Sequence, residues 1–240
     1  MEVWDFLIDV VEKFSYKSYL EIGVNLGQTF KKVPIGSNGI KEWVDPFIDM
    51  NAYKMTYNSD PDIEKYLDNT IGYQMTSDYF FNIINPDKKW DLIFIDGLHT
   101  YEQTKIDFVN SYKHLNEGGI IVLHDCNPLR EEFTVVPMPD PVPWIYPREP
   151  DRSIGPFQIW NGDVYKTILW LRSSRSDVTV NTIKDVGGGI AVVSKKPSIP
   201  VKMVAPPEKL SWKDFDINRK EYLGLIGYDE FKERYMGYEK

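Results

Sequence analysis

The sequence has one cysteine, Cys126, in 240 residues, so no disulfide can form within the chain. It also lacks a basic excess, since 28 Lys and Arg stand against 36 Asp and Glu, for a formal net charge of −8. Because binding to phosphate backbones requires a basic face, this balance argues against a general nucleic-acid-binding protein. A single thiol is typical of a reducing compartment, and we predict a cytoplasmic location.

Long apolar runs are missing as well. No stretch approaches the length of a membrane span, and the first residues contain acids instead of a basic segment with a small-residue cleavage site. We therefore expect no membrane span and no signal peptide. A chain of this length without internal repeats predicts one domain, residues 1–240, and leaves a homo-oligomer open.

Short apolar segments alternate with amphipathic ones along the chain. The pattern predicts strands at 18–22, 40–44, 90–95 and 120–123, a weaker strand near Gly72, a hairpin of 178–183 and 189–193, helices at 3–14, 101–115 and 162–172, and a C-terminal helical extension over 197–240. In the helix at 101–115, Ile106 and Phe108 are expected on the buried side. Strands that alternate with helices form parallel sheets. The expected fold is α/β: a Rossmann-like, mostly parallel seven-stranded sheet with an antiparallel C-terminal hairpin and helices on both faces.

The first strand runs directly into a glycine turn, at Gly23 and Gly27. The dinucleotide fingerprint G-x-G-x-x-G is absent, and Glu21 stands at the strand tip, where a carboxylate suits a cationic amine better than a pyrophosphate. Asp45 ends the second strand, at the position that holds ribose hydroxyls in nucleotide-binding α/β folds. As an alternative, Asp45 caps a turn before Pro46.

Two pairs of histidine and aspartate follow two of the predicted strands. Asp96 and His99 follow the strand at 90–95, and His124 and Asp125 follow the strand at 120–123. Because parallel strands joined by a helix end at the same edge of a sheet, we expect the two pairs to converge. As alternatives, Asp96 caps the next helix, His99 is a structural turn residue, and His124 and Asp125 orient the following loop by hydrogen bonds.

These motifs, taken in order, resemble those of class I S-adenosylmethionine (SAM) methyltransferases. The matching segments are 21–27, 44–46, 76–78, 94–101 and 118–125. The patterns D-G-x-H-x-Y and G-G-x-x-x-x-H-D are similar to a subgroup linked to surface-glycan or natural-product modification, and the run at 160–166 also looks like that subgroup. The resemblance covers roughly residues 18–193.

The resemblance implies SAM as the cofactor. Glu21 would hold the SAM amino group, and Asp45 would accept hydrogen bonds from the ribose hydroxyls. Ser77 and Asp78 would contact the adenine edge. The full set of implied cofactor contacts is Glu21, Gly23, Gly27, Asp45, Ser77, Asp78 and Asp96.

Macrolide-sugar O-methyltransferases, which the chain resembles at Asp96-Gly-Leu-His99, use the aspartate as a magnesium ligand and the histidine as a base. The resemblance therefore implies His99, Asp96 and Asp125 as catalytic residues, and Asp96, His124 and Asp125 as ligands of a divalent metal ion, magnesium or manganese. Those enzymes have two adjacent acids where this chain has His124 and Asp125. Because magnesium prefers oxygen ligands, this departure weakens the metal hypothesis or shifts it toward manganese, iron or zinc.

The expected function is a SAM-dependent O-methyltransferase that acts on a small-molecule acceptor, a sugar or glycan unit. Eight prolines crowd residues 127–158, which predicts a loop over the acceptor side. Candidate substrate contacts are Trp144, Tyr146, Trp160 and Asp163; the aromatic residues could equally anchor the loop, and Asp163 could stabilise its helix. The alternatives are a non-catalytic SAM- or glycan-binding scaffold and an NAD-dependent oxidoreductase.

Overall fold

The structure, a computed structural model, describes residues 1–25, 27–47, 70–135 and 160–237. In these ranges the α-helices are α1 (Val3–Phe14), α2 (Gln28–Lys32), α3 (Ser77–Ile83), α4 (Tyr101–Lys113), α5 (Tyr165–Ser174), α6 (Trp212–Leu223) and α7 (Tyr228–Phe231). The strands are β1 (Ser18–Ile22), β2 (Ile40–Val44), β3 (Thr70–Tyr73), β4 (Trp90–Ile95), β5 (Leu115–Leu123), β6 (Thr179–Ile183), β7 (Ile190–Ser194) and β8 (Leu225–Ile226). Two 3₁₀ turns, Glu131–Thr134 and Pro207–Lys209, and a π-helical turn, Lys232–Met236, complete the described elements.

The described strands form one eight-stranded sheet in the order β3-β2-β1-β4-β5-β7-β6-β8. The strands β1 to β5 pair in parallel, and β7 runs antiparallel between β5 and β6. The predicted α/β class and mostly parallel sheet with an antiparallel hairpin are confirmed. The predicted count of seven strands is wrong by one, because β8 adds a two-residue strand beside β6. A strand that short carries too little periodicity to stand out in the sequence.

The sheet is covered by helices on both faces, because successive side chains of a strand point to opposite sides. In β4, Ile93 and Ile95 belong to the core under α3, α4, α5 and α6. Leu92 and Phe94 belong to the second core, which contains the apolar face of α1. These four side chains of β4 are buried, as expected for a central parallel strand.

Helix α4 buries a polar side against the sheet. Its buried residues include Thr104, Asp107 and Phe108, whereas Ile106 is 43% exposed. The expectation that Ile106 lies on the buried side is therefore wrong. The apolar spacing points to the wrong face because Asp107 is satisfied by hydrogen bonds inside the protein and can be buried.

Strands β1 and β4 mark the point at which the strand order reverses. The chain leaves β1 toward β2 on one side, while β4 pairs with β1 on the other. In open α/β sheets, ligands bind outside the carboxyl ends of the strands at such a point. Gly23 follows β1 with a φ of +84°, and a Cβ there would collide with the carbonyl oxygen of Asp96. The glycine therefore lets the turn pack against the end of β4.

No helix in the described part of the chain is long and apolar enough to cross a membrane. Of the predicted proline-rich loop at 127–158, residues 127–135 are described and form the turn Glu131–Thr134 with its flanks. Trp144 and Tyr146 lie outside the described residues.

The opposite, amino-terminal edge of the sheet is held by Asp91. Its Oδ2 accepts hydrogen bonds from the backbone N–H groups of Lys17 (2.8 Å) and Ser18 (3.0 Å), and its Oδ1 accepts one from Asn116 Nδ2 (2.7 Å). Burial raises the pKa of Asp91, but these hydrogen bonds outweigh it and hold the pKa below its ordinary value of 3.8. One carboxylate therefore joins the starts of β1, β4 and β5.

Asp91→Ala is expected to lower the free energy of unfolding at neutral pH by about 1 kcal/mol, because the hydrogen bonds are lost at a partly exposed position. A carboxyl group with a lowered pKa stabilises the fold above its unfolded pKa and loses this effect as the pH falls through the folded pKa. The difference from the parent protein should thus shrink below about pH 4 in urea unfolding. The exposed Asp87→Ala is the control, with a change within about 0.5 kcal/mol. An Asp91→Ala protein as stable as the parent at neutral pH would contradict the role.

Candidate active site

Four side chains meet where β4 and β5 end. Asp96 directly follows β4, and His99 lies in the turn before α4; His124 and Asp125 directly follow β5. His99 Nε2 is 3.1 Å from Asp96 Oδ1, and His99 Nδ1 is 3.4 Å from Asp125 Oδ2. His124 Nδ1 is 3.1 Å from Asp96 Oδ1 and 3.2 Å from Asp125 Oδ2. We call these four residues the His–Asp cluster.

The carboxylates of the cluster favour protonated histidines. Burial lowers the pKa of His99. The hydrogen bond and charge of Asp96 and the charge of Asp125 raise it by more, so the pKa lies above its ordinary value of 6.5. Burial also lowers the pKa of His124, and the same two carboxylates bring it well above 6.5. For Asp96, burial raises the pKa, and the two histidines reverse this and hold it well below 3.8. The carboxylates of the cluster thus favour the charged form of both imidazoles.

The start of α4 settles one alternative for Asp96. The helix is capped by Thr100, whose Oγ1 accepts a hydrogen bond from the backbone N–H of Gln103 (3.4 Å). Asp96 directs its carboxylate to the two histidines instead. Asp96 is therefore a member of the cluster and does not serve as the helix cap.

Asp125 has a left-handed backbone, with φ of +54°. Such a conformation is uncommon outside glycine, although aspartate tolerates it better than most residues. The side chain is buried, with Oδ2 facing the histidines and Oδ1 accepting a hydrogen bond from Asn161 Nδ2 (2.9 Å). A Cβ at Gly188 would collide with the same Oδ1. The conformation is thus held by close contacts on both oxygens.

Asp45 organises the turn after β1. Its Oδ2 accepts hydrogen bonds from the backbone N–H groups of Val24 and Asn25, both at 2.9 Å, and its Oδ1 accepts one from Phe47 (2.8 Å). The turn ends at Gly27, which has a φ of +71° and begins α2. The contact between Asp45 and the ribose stays a prediction. In the protein alone, Asp45 holds the backbone of the turn after β1 by hydrogen bonds.

Glu21 is 2% exposed and accepts a hydrogen bond from the hydroxyl of Tyr19. Burial raises the pKa of Glu21 to about 8, against the hydrogen bond from Tyr19 and the charge of Lys41, which lower it. Lys41 is buried on the same side and donates to the carbonyl of Val33 at 2.8 Å. The contact between Glu21 and the SAM amino group stays a prediction. In the protein alone this carboxyl group already accepts a hydrogen bond from Tyr19.

Ser77 and Asp78 are linked to α4. Ser77 Oγ donates to Asp107 Oδ1 (2.6 Å), and Gln103 Nε2 donates to Asp78 Oδ1 (3.2 Å) and to Asp107 Oδ1 (3.1 Å). The cap of α3 is Thr76, whose hydroxyl accepts a hydrogen bond from the backbone N–H of Tyr79. Both side chains are thereby released from capping and lie beside α4.

Trp160 and Asp163 lie beside the turn that carries His99. The Trp160 ring stacks on the His99 imidazole, with centroids 4.8 Å apart and planes 19° apart. Asp163 Oδ1 accepts from the backbone N–H of Tyr101 (2.6 Å), and Asp163 Oδ2 is 3.0 Å from Lys166 Nζ. A cavity of about 200 Å³ opens next to these residues, lined by Thr100, Tyr101, Glu102, Asp163, Lys166 and Glu208.

Residues 47–126, a third of the chain, match a family model described as a methyltransferase domain. The matched segment contains all four residues of the His–Asp cluster. Among curated protein sequences, none matches this chain.

Solved O-methyltransferase structures share the fold. TomG, an O-methyltransferase from Streptomyces achromogenes involved in tomaymycin synthesis and solved with SAM, is 16% identical, with a TM-score of 0.56 over 80% of this chain and 79% of that chain. The methyltransferase PaMTH1 of Podospora anserina, solved with S-adenosylhomocysteine (SAH), is 16% identical, with a TM-score of 0.58 over 80% and 77%. An O-methyltransferase of Bacillus cereus with SAH, 16% identical, reaches 0.53 over 80% of each chain.

The fold is that of these methyltransferases. The family model, matched over a third of the chain, describes a methyltransferase domain as well.

The structure brings Asp96, His99, His124 and Asp125 together, as the sequence predicts for the ends of neighbouring strands. Sequence reasoning missed Asn161, which contacts Asp125. It also missed Gln103 and Asp107, which contact Ser77. Asn161 stands within the run Trp160-Asn-Gly-Asp163, the signal that could have pointed to it, whereas Gln103 and Asp107 lie on a helix with no motif.

The charge balance of the His–Asp cluster makes a prediction for protein kept free of metal by a chelator. A histidine with a raised pKa stabilises the fold fully below its unfolded pKa and loses this effect as the pH rises through the folded pKa. The parent protein should therefore exceed His124→Gln in free energy of unfolding by the largest amount between about pH 4 and pH 6.5. The difference should fall at higher pH, and below about pH 4 the protonation of Asp96 also contributes. Unfolding in urea across this pH range measures the difference.

His114 is the matched control, because burial lowers its pKa. Relative to His114→Gln, the parent protein should gain stability as the pH rises through about 6.5, the opposite sign. A parent advantage over His124→Gln that is flat above pH 6.5 would show that the cluster histidines are not protonated as we infer.

Proposed function

We propose that this protein is a SAM-dependent O-methyltransferase that methylates a hydroxyl group of a small hydrophilic acceptor, a sugar or glycan unit. The observation that carries the proposal is the His–Asp cluster at the carboxyl ends of β4 and β5, beside the point where α/β folds bind their cofactors. The family match over residues 47–126 and the shared fold support the methyltransferase part.

The residues of the protein fit the cofactor. SAM supplies an electrophilic methyl group on a sulfonium centre. The turn after β1 offers backbone at Gly23 and Gly27 for the methionine portion, and Asp45 stands at the end of β2 for the ribose. Ser77 and Asp78 are offered for the adenine edge at the start of α3. The position of these groups along one edge of the sheet supports this order of contacts.

His99 is the proposed general base. In its neutral form it accepts the proton of the acceptor hydroxyl at Nδ1, which makes no hydrogen bond among the described residues, while Nε2 keeps its contact with Asp96. The proton leaves the hydroxyl as its oxygen bonds to the methyl carbon and the carbon–sulfur bond breaks. Asp96 and Asp125 then stabilise the imidazolium, since their oxygens lie 3.1 and 3.4 Å from its two nitrogens. The protein must also align the two bound molecules, because in-line methyl transfer requires the acceptor oxygen, the methyl carbon and the sulfur to be held in position.

A divalent metal ion would be held by Asp96, His124 and Asp125, whose ligand atoms all lie within 4.8 Å of one another. Two carboxylates and one imidazole fit manganese, iron or zinc better than magnesium. Bound there, the ion would lower the pKa of the acceptor hydroxyl. The two histidines that lie beside these carboxylates would compete with the ion for them.

The hydrophilic acceptor is supported by the surroundings of the cluster. The cavity that begins at Thr100, the residue after His99, is lined by the carboxylates of Glu102, Asp163 and Glu208, by Lys166 and by Tyr101. Such groups pair with the hydroxyls of a sugar. The single cysteine, Cys126, is buried and free, in keeping with the predicted cytoplasmic location.

Asp45→Ala is expected to weaken SAM binding by about 1–3 kcal/mol, roughly 5- to 150-fold in dissociation constant, because hydrogen bonds to a charged group are lost. Calorimetry with SAM measures the change, and thermal unfolding shows that the variant is folded. Asp87→Ala, away from the cleft edge, should bind as the parent does. Unchanged SAM affinity in folded Asp45→Ala would remove the assignment.

His99→Ala is expected to keep SAM affinity within about threefold and to lower turnover by about 10²-fold or more, the scale of a positioned base. Turnover is followed as SAH release with a panel of sugar-nucleotide, glycoside and catechol acceptors. In the parent protein, turnover should rise with pH as His99 loses its proton, with the rising limb above pH 6.5, since its pKa is raised.

His114→Ala is the control and should retain turnover. If a chelator leaves turnover intact while His99→Ala abolishes it, the base is supported and the metal is not. If His99→Ala turns over at the parent rate, His99 is a structural residue. SAM binding without turnover on any acceptor would favour the scaffold alternative.

A further inference from the structure

We propose that Trp160 and Asn161 are positioning residues, which hold His99 and Asp125 against each other for proton transfer. The proposal rests on the proposed function and extends it to two neighbouring residues. Each of the two contacts a different member of the His–Asp cluster, one from β4 and one from β5.

Trp160 holds the imidazole of His99. The two rings stack nearly parallel, at 19° and with centroids 4.8 Å apart. The Trp160 indole is itself fixed, because its Nε1 donates to the carbonyl of Val135 at 2.7 Å. An imidazole that stacks on an anchored indole cannot rotate freely, so Nε2 keeps its hydrogen bond to Asp96 and Nδ1 stays 3.4 Å from Asp125 Oδ2. A charged imidazole gains further from the face of the indole.

Asn161 holds the carboxylate of Asp125. Its Nδ2 donates to Asp125 Oδ1 at 2.9 Å, which leaves Oδ2 for the histidines. Asn161 is 1% exposed, and its Oδ1 is buried without a hydrogen-bond partner among the described residues. Its Nδ2 also reaches the carbonyl of Gly188 at 3.5 Å, so the buried amide joins the left-handed Asp125 to the turn before β7.

The backbone of the segment 160–163 is held at both ends. The N–H groups of Asn161 and Gly162 both donate to the carbonyl of Phe133, at 2.9 and 3.0 Å. Gly162 has φ of +59°, and a Cβ there would collide with the carbonyl oxygen of His99. Asp163 accepts from the N–H of Tyr101, at the start of α4. The segment is thus packed on the turn that carries His99.

This arrangement gives Trp160 a role different from the predicted contact with substrate. If Trp160 stacks on an acceptor sugar, its loss raises the acceptor KM. If it positions His99, its loss lowers kcat at unchanged SAM affinity, because a displacement of a reacting group by about 1 Å can cost up to 10²-fold in rate. The two roles therefore separate in steady-state kinetics.

Trp160→Leu removes the ring and keeps apolar bulk, whereas Trp160→Phe restores an aromatic face. We expect Leu to lower kcat about tenfold or more with SAM affinity within threefold, and Phe to recover most of the loss. Trp170→Leu is the matched control, since Trp170 is also half-buried and packs on Phe108. Parent kcat in Trp160→Leu, a raised acceptor KM alone, or no recovery by Phe would overturn the positioning role.

A second experiment compares two hydrogen bonds in which an asparagine amide donates to an aspartate: Asn161 to Asp125 and Asn116 to Asp91. Asn161→Ala removes the donor to Asp125 and is expected to lower kcat about tenfold. Asn116→Ala removes the bond to Asp91 at 2.7 Å, at the opposite edge of the sheet, and should change stability without changing kcat. Equal kcat values for the two variants would overturn the role of Asn161.

Proton NMR tests the geometry without activity. The chain has three histidines, so the imidazole signals can be assigned by His114→Gln and His124→Gln. Protons of His99 over the indole face should be shifted upfield in the parent protein and should move downfield in Trp160→Leu, with His114 unchanged. No shift would overturn the stacking contact. A parent protein that shows the shift but neither binds SAM nor methylates any acceptor would instead mark the failure of the proposed function.

Discussion

Parallel pairing of β1, β4 and β5 is the constraint on which the site depends. The register aligns Ile22 with Ile95, and Ile95 with Leu123, so three distant segments leave the sheet at one level. The ladder continues one residue further, because the N–H of Asp96 donates to Ile22 at 2.8 Å and that of His124 donates to Ile95 at 3.1 Å. The strand ends therefore place the first residue of each polar pair by backbone hydrogen bonds, before any side-chain contact forms.

Both carboxylates of the His–Asp cluster lie within 3.4 Å of imidazole nitrogens, and this bears on how a metal ion could bind. In a site with only acids, a cation relieves repulsion between carboxylates. Here His124 already lies between Asp96 and Asp125, at 3.1 and 3.2 Å. Because these carboxylates raise the pKa of His124, a metal ion that uses its ring would compete with a proton, and metal binding would strengthen with pH. The same residues can thus serve a metal-free base mechanism or a metal-assisted one.

The second layer of the site comes from chain far from the strands. Asn161 and Trp160 approach the cluster from beyond the proline-rich segment, and Gln103 approaches Ser77 from the buried polar side of α4. Such contacts join separate elements, so they limit the motion of one element against another. Because catalytic alignment depends on small displacements, this layer matters to rate even where it touches no substrate.

The sequence by itself determined the fold class, the bounds of β1, β2 and β4 and the meeting of the two His/Asp pairs. These follow from local apolar periodicity and from the rule that parallel strands share a carboxyl edge. It could not determine that Trp160 stacks on His99, that Asn161 bonds Asp125, or that α4 buries Asp107. Periodicity reports how apolar a face is, but a buried polar side chain is decided by the partner it meets, and that partner is set by tertiary packing.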